Sequence, residues 1–451
     1  MKKLFYLAIF LIIGTFLMQG FQCASPELTT AKLAAQNKDW QKAKQYLEKE
    51  LEKNQSNSEA WILLVEVNKQ LNLLDEATTA MLTGEKYITG AEFVDRIPHT
   101  KQSVFADCYN AGIESLNSYI NDKKIEDFNK CINHFNNCLK LRPKNPDVYR
   151  LLAMAYETKG DIPNTILNNN KYADILKTEI SFAKEKGLNI KMERTEALNV
   201  LGKPINSSGF KIGDETNNDS LIVDIYDYQN KELLLYSIKE GTNQFIVEGW
   251  RIDLPKDLTK QERLQPFSFS TSPYFALAQT YFDTKEWNNA LENIFSILYL
   301  DPQNTDANTA LILIYESQGK KEESLKFILD LVKKNPNNPT YLVQYADLLQ
   351  QLNRFDESIE QYEKAIKIDA KNENALRNVA SAYKNKVLTI QQAQQEKLSK
   401  DPNYKLNPDE YLPLLKKSAE YFERCRKSTK YSRDFEVLGE LGEIYLFTKD
   451  T

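Results

Sequence analysis

Apolar residues in the C-terminal half of the chain follow two periods at once. Within a segment they stand three or four residues apart, which is the spacing of one face of an amphipathic helix. Between segments the same pattern returns after 34 residues, so that Pro302, Pro336 and Ala370 occupy equivalent positions. A fixed interval of this length predicts stacked pairs of antiparallel helices, because one pair cannot bury its apolar stripe alone.

Equivalent positions recur in each segment between Tyr274 and Tyr383. The first helix of a pair carries an apolar stripe, and the second carries small residues that allow close approach to its neighbours. Gly319 and Asn353 stand where the chain reverses, and both suit a positive φ. The columns are Tyr274/Asn308/Leu342/Leu376, Leu277/Leu311/Tyr345/Val379, Tyr281/Tyr315/Leu349/Tyr383, Trp287/Lys321/Phe355, Ala290/Ser324/Ser358, Ile294/Ile328/Tyr362 and Ile297/Leu331/Ala365.

These columns resemble those of the tetratricopeptide repeat (TPR), with its small, aromatic and proline positions in register. Further residues elsewhere in the chain fall into the same columns: Trp40, Ala43, Leu47, Trp61, Leu64, Leu74, Ala77, Cys131, Phe135, Cys138, Pro143, Tyr149, Leu152, Tyr156, Gly160, Ser418, Phe422 and Cys425. The resemblance implies a mostly α fold, a TPR-type solenoid of helical hairpins in two arrays. A small α+β insert is expected between the arrays.

The insert is predicted from a change of period. Residues 219–253 alternate between apolar and polar, which predicts a three-stranded antiparallel meander with turns at Gln229-Asn230 and at 240–243. A short helix before it is expected to be capped by Thr195 and stopped by Gly202. The helix and hairpin resemble the small SmpA/OmlA-type envelope lipoprotein module. The alternative is an unrelated α+β insert that caps or bends the solenoid.

Three stretches depart from the helical repeat. The period is lost over residues 84–101, where Pro98 is expected to break a helix before a new one begins at Ser103. The helix expected at 164–182 is the least typical of the N-terminal array. A polar stretch at 388–409 is expected to interrupt the fourth C-terminal unit.

The N-terminus has the pattern of an export signal. Two lysines precede the apolar run Leu4–Phe21, and Cys23 follows it. This layout resembles a bacterial lipoprotein cleavage site, which implies lipidation of Cys23, and Ala24 resembles an outer-membrane sorting signal. We therefore expect an exported protein, anchored by lipid and facing the periplasm from the outer membrane. Because Gln22 stands where that family favours a small residue, an uncleaved membrane anchor is the alternative.

The pattern divides the chain into six predicted segments. They are a signal peptide at 1–22, N-terminal TPR-like repeats at 23–91, further helical repeats at 92–183, the α+β insert at 190–260, C-terminal TPR repeats at 271–430 and a terminal capping helix at 431–451.

Composition argues against nucleic-acid binding. The 58 Lys and Arg residues against 63 Asp and Glu give a net charge of −5, whereas a nucleic acid requires a basic face. The sequence contains no Gly-rich phosphate loop and no H-E-x-x-H, G-x-S-x-G or C-x-x-C motif. These absences favour a protein that is not an enzyme and that needs no cofactor.

One group of residues has metal-ligand character. Cys131, His134 and Cys138 stand at i, i+3 and i+7, so that a helix would present all three on one side. Both cysteines also fall on columns otherwise occupied by Ala or Ser, which favours small buried side chains and no metal site. Two helical turns separate the cysteines by about 10 Å, too far for a disulfide between them. Cys108 is an alternative disulfide partner across a helix pair.

The TPR resemblance implies a scaffold that binds a protein or peptide on the concave face of its first helices. Those lining positions depart from the Lys/Asn/Arg pattern of the carboxylate clamp, which argues against capture of acidic C-termini. The alternative is an envelope enzyme or a substrate-presenting accessory subunit. The positions expected to line the concave face are Phe275, Gln279, Thr309, Leu313, Val343, Asp347, Arg377 and Ser381.

Overall fold

The chain divides into two units, one up to Asn304 and one from Thr305 onward. The computed structural model describes residues 25–212, 219–239, 244–427 and 431–449, with Lys449 described by its backbone only. The predicted signal peptide, Cys23 and the predicted turn at 240–243 lie outside the described residues. Among the described helices, none combines the length and the apolar character needed to cross a bilayer.

The first unit contains fourteen described helices and one sheet. The helices are α1 (Pro26–Gln36), α2 (Trp40–Lys53), α3 (Ser58–Gln70), α4 (Leu74–Gly84), α5 (Ala91–Val94), α6 (Ile97–Asp122), α7 (Ile125–Leu141), α8 (Pro146–Lys159), α9 (Ile162–Ile175), α10 (Lys177–Lys186), α11 (Arg194–Leu201), α12 (Lys260–Arg263), α13 (Ser272–Asp283) and α14 (Trp287–Leu300). The strands are β1 (Asn206–Lys211), β2 (Ser220–Tyr228), β3 (Lys231–Lys239) and β4 (Ile246–Ile252).

The second unit is helical throughout its described residues. Its helices are α15 (Thr305–Ser317), α16 (Lys321–Lys334), α17 (Pro339–Gln351), α18 (Phe355–Ile368), α19 (Glu373–Lys400), α20 (Leu412–Arg426) and α21 (Phe435–Lys449), with a 3₁₀ turn at Pro408–Glu410.

Successive helices form the antiparallel hairpins that the period predicts, and local sequence explains where they begin and turn. The side chains of Asn338 and Asn372 accept hydrogen bonds from backbone N–H groups in the first turns of α17 and α19. Gly319 (φ 75°) and Asn353 (φ 59°) make the reversals within two hairpins in the left-handed conformation, as predicted. Helix starts and reversals are therefore encoded by residues close to them in sequence.

The small residues that recur at one position of the second helices are fully buried, which confirms their predicted role in packing. Ser358 and Ser418 each donate a hydrogen bond of 2.8 Å to a backbone carbonyl of the preceding first helix, that of Ala346 or of Ala380. Two columns of the second helices, those of Ser358 and Ala365, are buried throughout. Their members are Ala290, Ser324, Ser358 and Ser418 in the first and Ile297, Leu331, Ala365 and Cys425 in the second.

The insert contains one strand more than predicted. The sheet is antiparallel with the order β1-β2-β3-β4, and β1 (NSSGFK) lies at its edge. The sequence of β1 has no apolar alternation, so pattern alone does not reveal it. The strand forms because Ile205 N–H and Ile212 N–H donate to backbone carbonyls of Ile225 and Asp219 on either side of it.

The sheet is attached to the helices of the first unit by buried polar contacts. The Trp250 indole donates to the carbonyl of Glu179 over 3.1 Å, and Arg251 pairs with the Glu179 carboxylate at 3.1 Å. On α11, Arg194 binds the fully buried Asp224 through two hydrogen bonds of 2.7 and 2.8 Å. Helix α11 begins at Arg194 and has no side-chain cap, so the predicted cap at Thr195 is wrong; it ends at Gly202 as predicted.

One further boundary differs from the prediction. Helix α6 already begins at Ile97, with Pro98 in its first turn, where a missing N–H costs nothing; the predicted start at Ser103 is therefore wrong. The polar stretch after residue 388 lies before the second helix of the fourth unit, α20, as expected, and α19 continues through part of it to Lys400. Residues 164–182 belong to two helices, α9 and α10, which meet at Leu176.

Candidate functional site

A groove of about 820 Å³ lies within the second unit. The first helices α15, α17 and α19 supply most of its walls, and α18 contributes two side chains. On each helix the lining positions follow the three- and four-residue spacing of one face. The lining residues are Thr309, Ile312, Leu313, Glu316, Gln344, Asp347, Gln350, Gln351, Asn353, Phe355, Tyr362, Arg377, Asn378, Ser381, Asn385, Leu388, Thr389 and Gln392.

Five residues predicted to line a concave face lie together in this groove: Thr309, Leu313, Asp347, Arg377 and Ser381. Their role in partner binding stays a prediction.

The other three predicted residues lie elsewhere. Val343 is only 8% exposed and packs in the core beside Leu342 and Ala346, so its side chain does not line the groove. Phe275 and Gln279 belong to α13 of the first unit. Gln279 is exposed there and donates to Asp283 over 2.8 Å.

The continuation of α19 adds lining residues that sequence reasoning missed. Leu388, Thr389 and Gln392 line the groove, and they come from the polar stretch expected to interrupt the repeat. Their spacing from Asn385 is helical, and this was the available signal. Because α19 has 28 residues, its groove-facing side is about twice as long as that of α15 or α17, with 13 residues each.

Asp347 lies at the centre of a hydrogen-bonded group in the groove. Its Oδ1 accepts from Asn378 Nδ2 over 2.8 Å and from the hydroxyl of Tyr362. Burial raises the pKa of Asp347, although the hydrogen bonds from Tyr362 and Asn378 act in the opposite direction. The carboxylate is therefore held in one orientation between α17, α18 and α19.

Glu316 lies in the same groove without a partner. Its half-buried carboxylate forms no hydrogen bond or ion pair with any residue that the structure describes. Burial raises the pKa of Glu316, and the negative charge of Asp347 raises it further, while Lys321 lowers it. Two carboxylates thus act on one another in this part of the groove.

Gln344 adds an unused acceptor to the groove. Its Nε2 donates a 2.6 Å hydrogen bond to the Thr309 hydroxyl, whereas its buried Oε1 has no hydrogen-bond partner within the described ranges. A buried polar atom without a partner is rare in proteins and calls for an explanation.

Two basic side chains of α19, Arg377 and Lys384, are paired with the last helix. Arg377 forms an ion pair with Glu436 of α21, and Lys384 pairs with Glu440 and, at 2.8 Å, with Glu443. The carboxylates stand at i, i+4 and i+7 of α21, which places them on one side of that helix. The only cation that lines the groove in the described part of the chain, Arg377, is therefore already neutralised.

The cysteines on α7 are packing residues in the structure. Cys131 and Cys138 are fully buried, and burial raises the pKa of the Cys131 thiol to about 12, well above the range in which a thiolate forms. Burial also lowers the pKa of His134. No cluster of possible metal ligands occurs among the described residues, and none of the four described cysteines, Cys108 included, is in a disulfide.

Comparison with known proteins identifies the class of repeat. Residues 346–387 match a family model described as a TPR repeat, and this segment contains Asp347, Tyr362, Arg377, Asn378 and Ser381 of the groove. The predicted resemblance to the TPR is confirmed for this segment. The chain therefore contains a segment that matches the TPR, and its described residues form helical hairpins and one small antiparallel sheet.

Solved structures of TPR proteins resemble the chain at low sequence identity. MamA is 12% identical over 40% of this chain and 84% of its own, with a TM-score of 0.29. The TPR domain of P58(IPK) is 8% identical over 94% and 98%, with a TM-score of 0.28. YrrB, described as a TPR protein with an unusual peptide-binding site, is 9% identical over 68% and 97%, with a TM-score of 0.34. No curated protein matches the chain in sequence.

Proposed function

We propose that this protein is a non-catalytic interaction scaffold of the bacterial cell envelope, which binds an extended segment of a partner protein in the groove of the second unit. The observation that carries the proposal is the row of side-chain amides along that groove. The TPR match at 346–387 supports the same reading, because TPRs present their first helices to protein partners.

The amides match the hydrogen-bonding needs of an extended backbone. Asn378, Asn385 and Gln392 stand seven residues apart on α19, which places them on one line about 10.5 Å apart. That distance corresponds to about three residues of an extended peptide. Each side-chain amide offers both a donor and an acceptor, as a peptide backbone does, so the row is suited to binding a backbone whatever its sequence.

Two exposed leucines supply apolar contacts beside the amides. Leu313 is 49% exposed and Leu388 is 45% exposed, and both line the groove. Ligand-binding grooves combine apolar lining side chains with a few polar groups that fix the orientation of the ligand. A bound peptide would therefore gain both backbone hydrogen bonds and apolar burial.

Peptide binding in the groove is tested by selecting, from a displayed library of random dodecapeptides, the peptides that bind the full chain. We expect enriched peptides to lose at least tenfold in affinity for the Leu388→Arg variant. Ile368→Arg is the matched control, because Ile368 is an equally exposed residue that does not line the groove. If no peptide is enriched, or if Leu388→Arg binds as the parent does, the proposed binding site is wrong.

We also propose lipid anchoring at Cys23 in the outer membrane, supported by the apolar run before that residue. Changing Cys23 to Ala should move the protein from the detergent phase to the aqueous phase on phase partitioning. Partitioning that does not change would favour the uncleaved anchor instead.

A further inference from the structure

We infer that the groove of the second unit selects a peptide with a lysine or arginine, whose cationic head binds between the carboxylates of Glu316 and Asp347. The inference rests on the proposed peptide-binding function and names the chemistry of the partner. It is carried by the charges and the unused acceptors of the groove.

The groove carries a negative charge that no described residue neutralises. Glu316, Asp347 and Arg377 are its charged lining residues. Arg377 pairs with Glu436 of α21, so its charge is balanced before any ligand arrives. Lys321 lowers the pKa of Glu316 through its charge but forms no ion pair with it, and its own side chain is exposed. Glu316 and Asp347 therefore lack a direct counter-ion.

The groove also offers more acceptors than donors near these two residues. The Glu316 carboxylate makes no hydrogen bond to the described residues, and the hydrogen bonds from Tyr362 and Asn378 to Asp347 both end on Oδ1. The Oε1 atom of Gln344, one turn before Asp347 on α17, is buried and has no partner there. A lysine ammonium supplies three donors and no acceptor, and an arginine guanidinium supplies five. Either head group satisfies this set of acceptors.

A cation gains here for a second reason. Glu316 and Asp347 are partly desolvated, and their like charges repel. A cation bound between them replaces this repulsion with two attractions in a region of reduced dielectric. An acidic peptide would add a third negative charge, so the same groove discriminates against it.

The first experiment uses the peptide that the full chain enriches from the dodecapeptide library. We expect a Lys or Arg at one fixed position of the enriched sequences. Replacing that residue with norleucine keeps the side-chain stem and removes the charge, and it should lower the affinity at least tenfold in a fluorescence anisotropy titration. Replacing it with glutamate should lower the affinity further.

The second experiment locates the cation. Glu316→Gln and Asp347→Asn should each weaken binding of the basic peptide about tenfold and leave binding of its norleucine form unchanged. Glu323→Gln is the matched control, because Glu323 is an exposed carboxylate outside the groove. Glu316→Gln removes an unpaired charge, so this variant is expected to fold even if Asp347→Asn does not.

The outcomes separate the inference from the proposed function. If peptides are enriched and Leu388→Arg abolishes their binding, but the lysine and norleucine forms bind equally, the inference is wrong and the function stands. Enrichment of acidic peptides overturns the inference in the same way. If no peptide is enriched, both are wrong. Loss of the lysine preference in Glu316→Gln, with Glu323→Gln unchanged, supports both.

Discussion

The amide of Asn378 donates a hydrogen bond of 2.8 Å to Asp347, and this contact joins two first helices across the floor of the groove. Asn378 stands on α19 and Asp347 on α17, 31 positions apart in the chain. The bond holds a carboxylate at the surface that the repeats form together. The groove is thus a property of adjacent repeats and not of one hairpin.

The stability of the second unit should depend on pH through Glu316 and Asp347. Both have pKa values raised in the folded state, so the folded protein binds protons more tightly than the unfolded chain. Their contribution to the free energy of unfolding therefore falls as the pH rises from the ordinary carboxyl range through the raised pKa values. At pH 7 both are a cost to folding.

Glu316→Gln is expected to raise the melting temperature at pH 7. This increase should disappear as the pH is lowered toward the ordinary pKa of a carboxyl group. Thermal melts at a series of pH values measure the difference. A gain of equal size at every pH would contradict the assignment to ionisation.

Two serines in the same column should respond oppositely to removal of the hydroxyl. Ser358 donates a 2.8 Å hydrogen bond to the Ala346 carbonyl, so Ser358→Ala should lower the free energy of unfolding by about 1 kcal/mol. The Ser324 hydroxyl is buried without a partner among the described residues, so Ser324→Ala should raise it by about 1 kcal/mol. Urea titrations of the two variants beside the parent test the signs, and equal losses would argue against this account.

A charged side chain at the buried position of Ala365 should unfold the second unit. Ala365 is fully buried in the core cluster that also contains Leu342 and Tyr362, which leaves no room for a longer side chain and no partner for a charge. Ala365→Arg is expected to cost about 4 kcal/mol or more. The neighbouring Lys364 is exposed, and Lys364→Arg is the control. If Ala365→Arg melts as the parent does, the register of the repeats is wrong.

Because α6 and α7 approach closely at Gly112, a larger residue there should destabilise the protein. A Cβ atom at Gly112 would lie 2.6 Å from Cε1 of Phe135, a fully buried ring. Gly112→Ala should therefore cost about 1–3 kcal/mol through overpacking. Gly442 in α21 has nothing within 4 Å of the same position, so Gly442→Ala should stabilise its helix by about 1 kcal/mol. Circular dichroism melts distinguish the two variants, and a neutral Gly112→Ala would disprove the contact.

Sequence alone determined the helix pairs, their reversals and the buried columns. These features depend on residues near one another in the chain: the three- and four-residue spacing of apolar side chains, a left-handed residue such as Asn353, and a small residue such as Ser358 in each second helix. The sequence also predicted five of the residues that line the groove. Once the buried stripe of a helix is known, the helical period shows which of its residues lie on another face.

Only the tertiary structure decided which of these helix faces and strand edges are covered by other parts of the chain. Strand β1 has no apolar pattern and forms because β2 offers it an edge, and the polar continuation of α19 stays helical although its sequence does not repeat. Val343 turns into the core although its position predicted exposure. Arg377 is neutralised by Glu436, 59 residues later, and only the packing of α21 along α19 brings the two together. The free charge of the groove depends on that long-range contact, and local sequence carries no information about it.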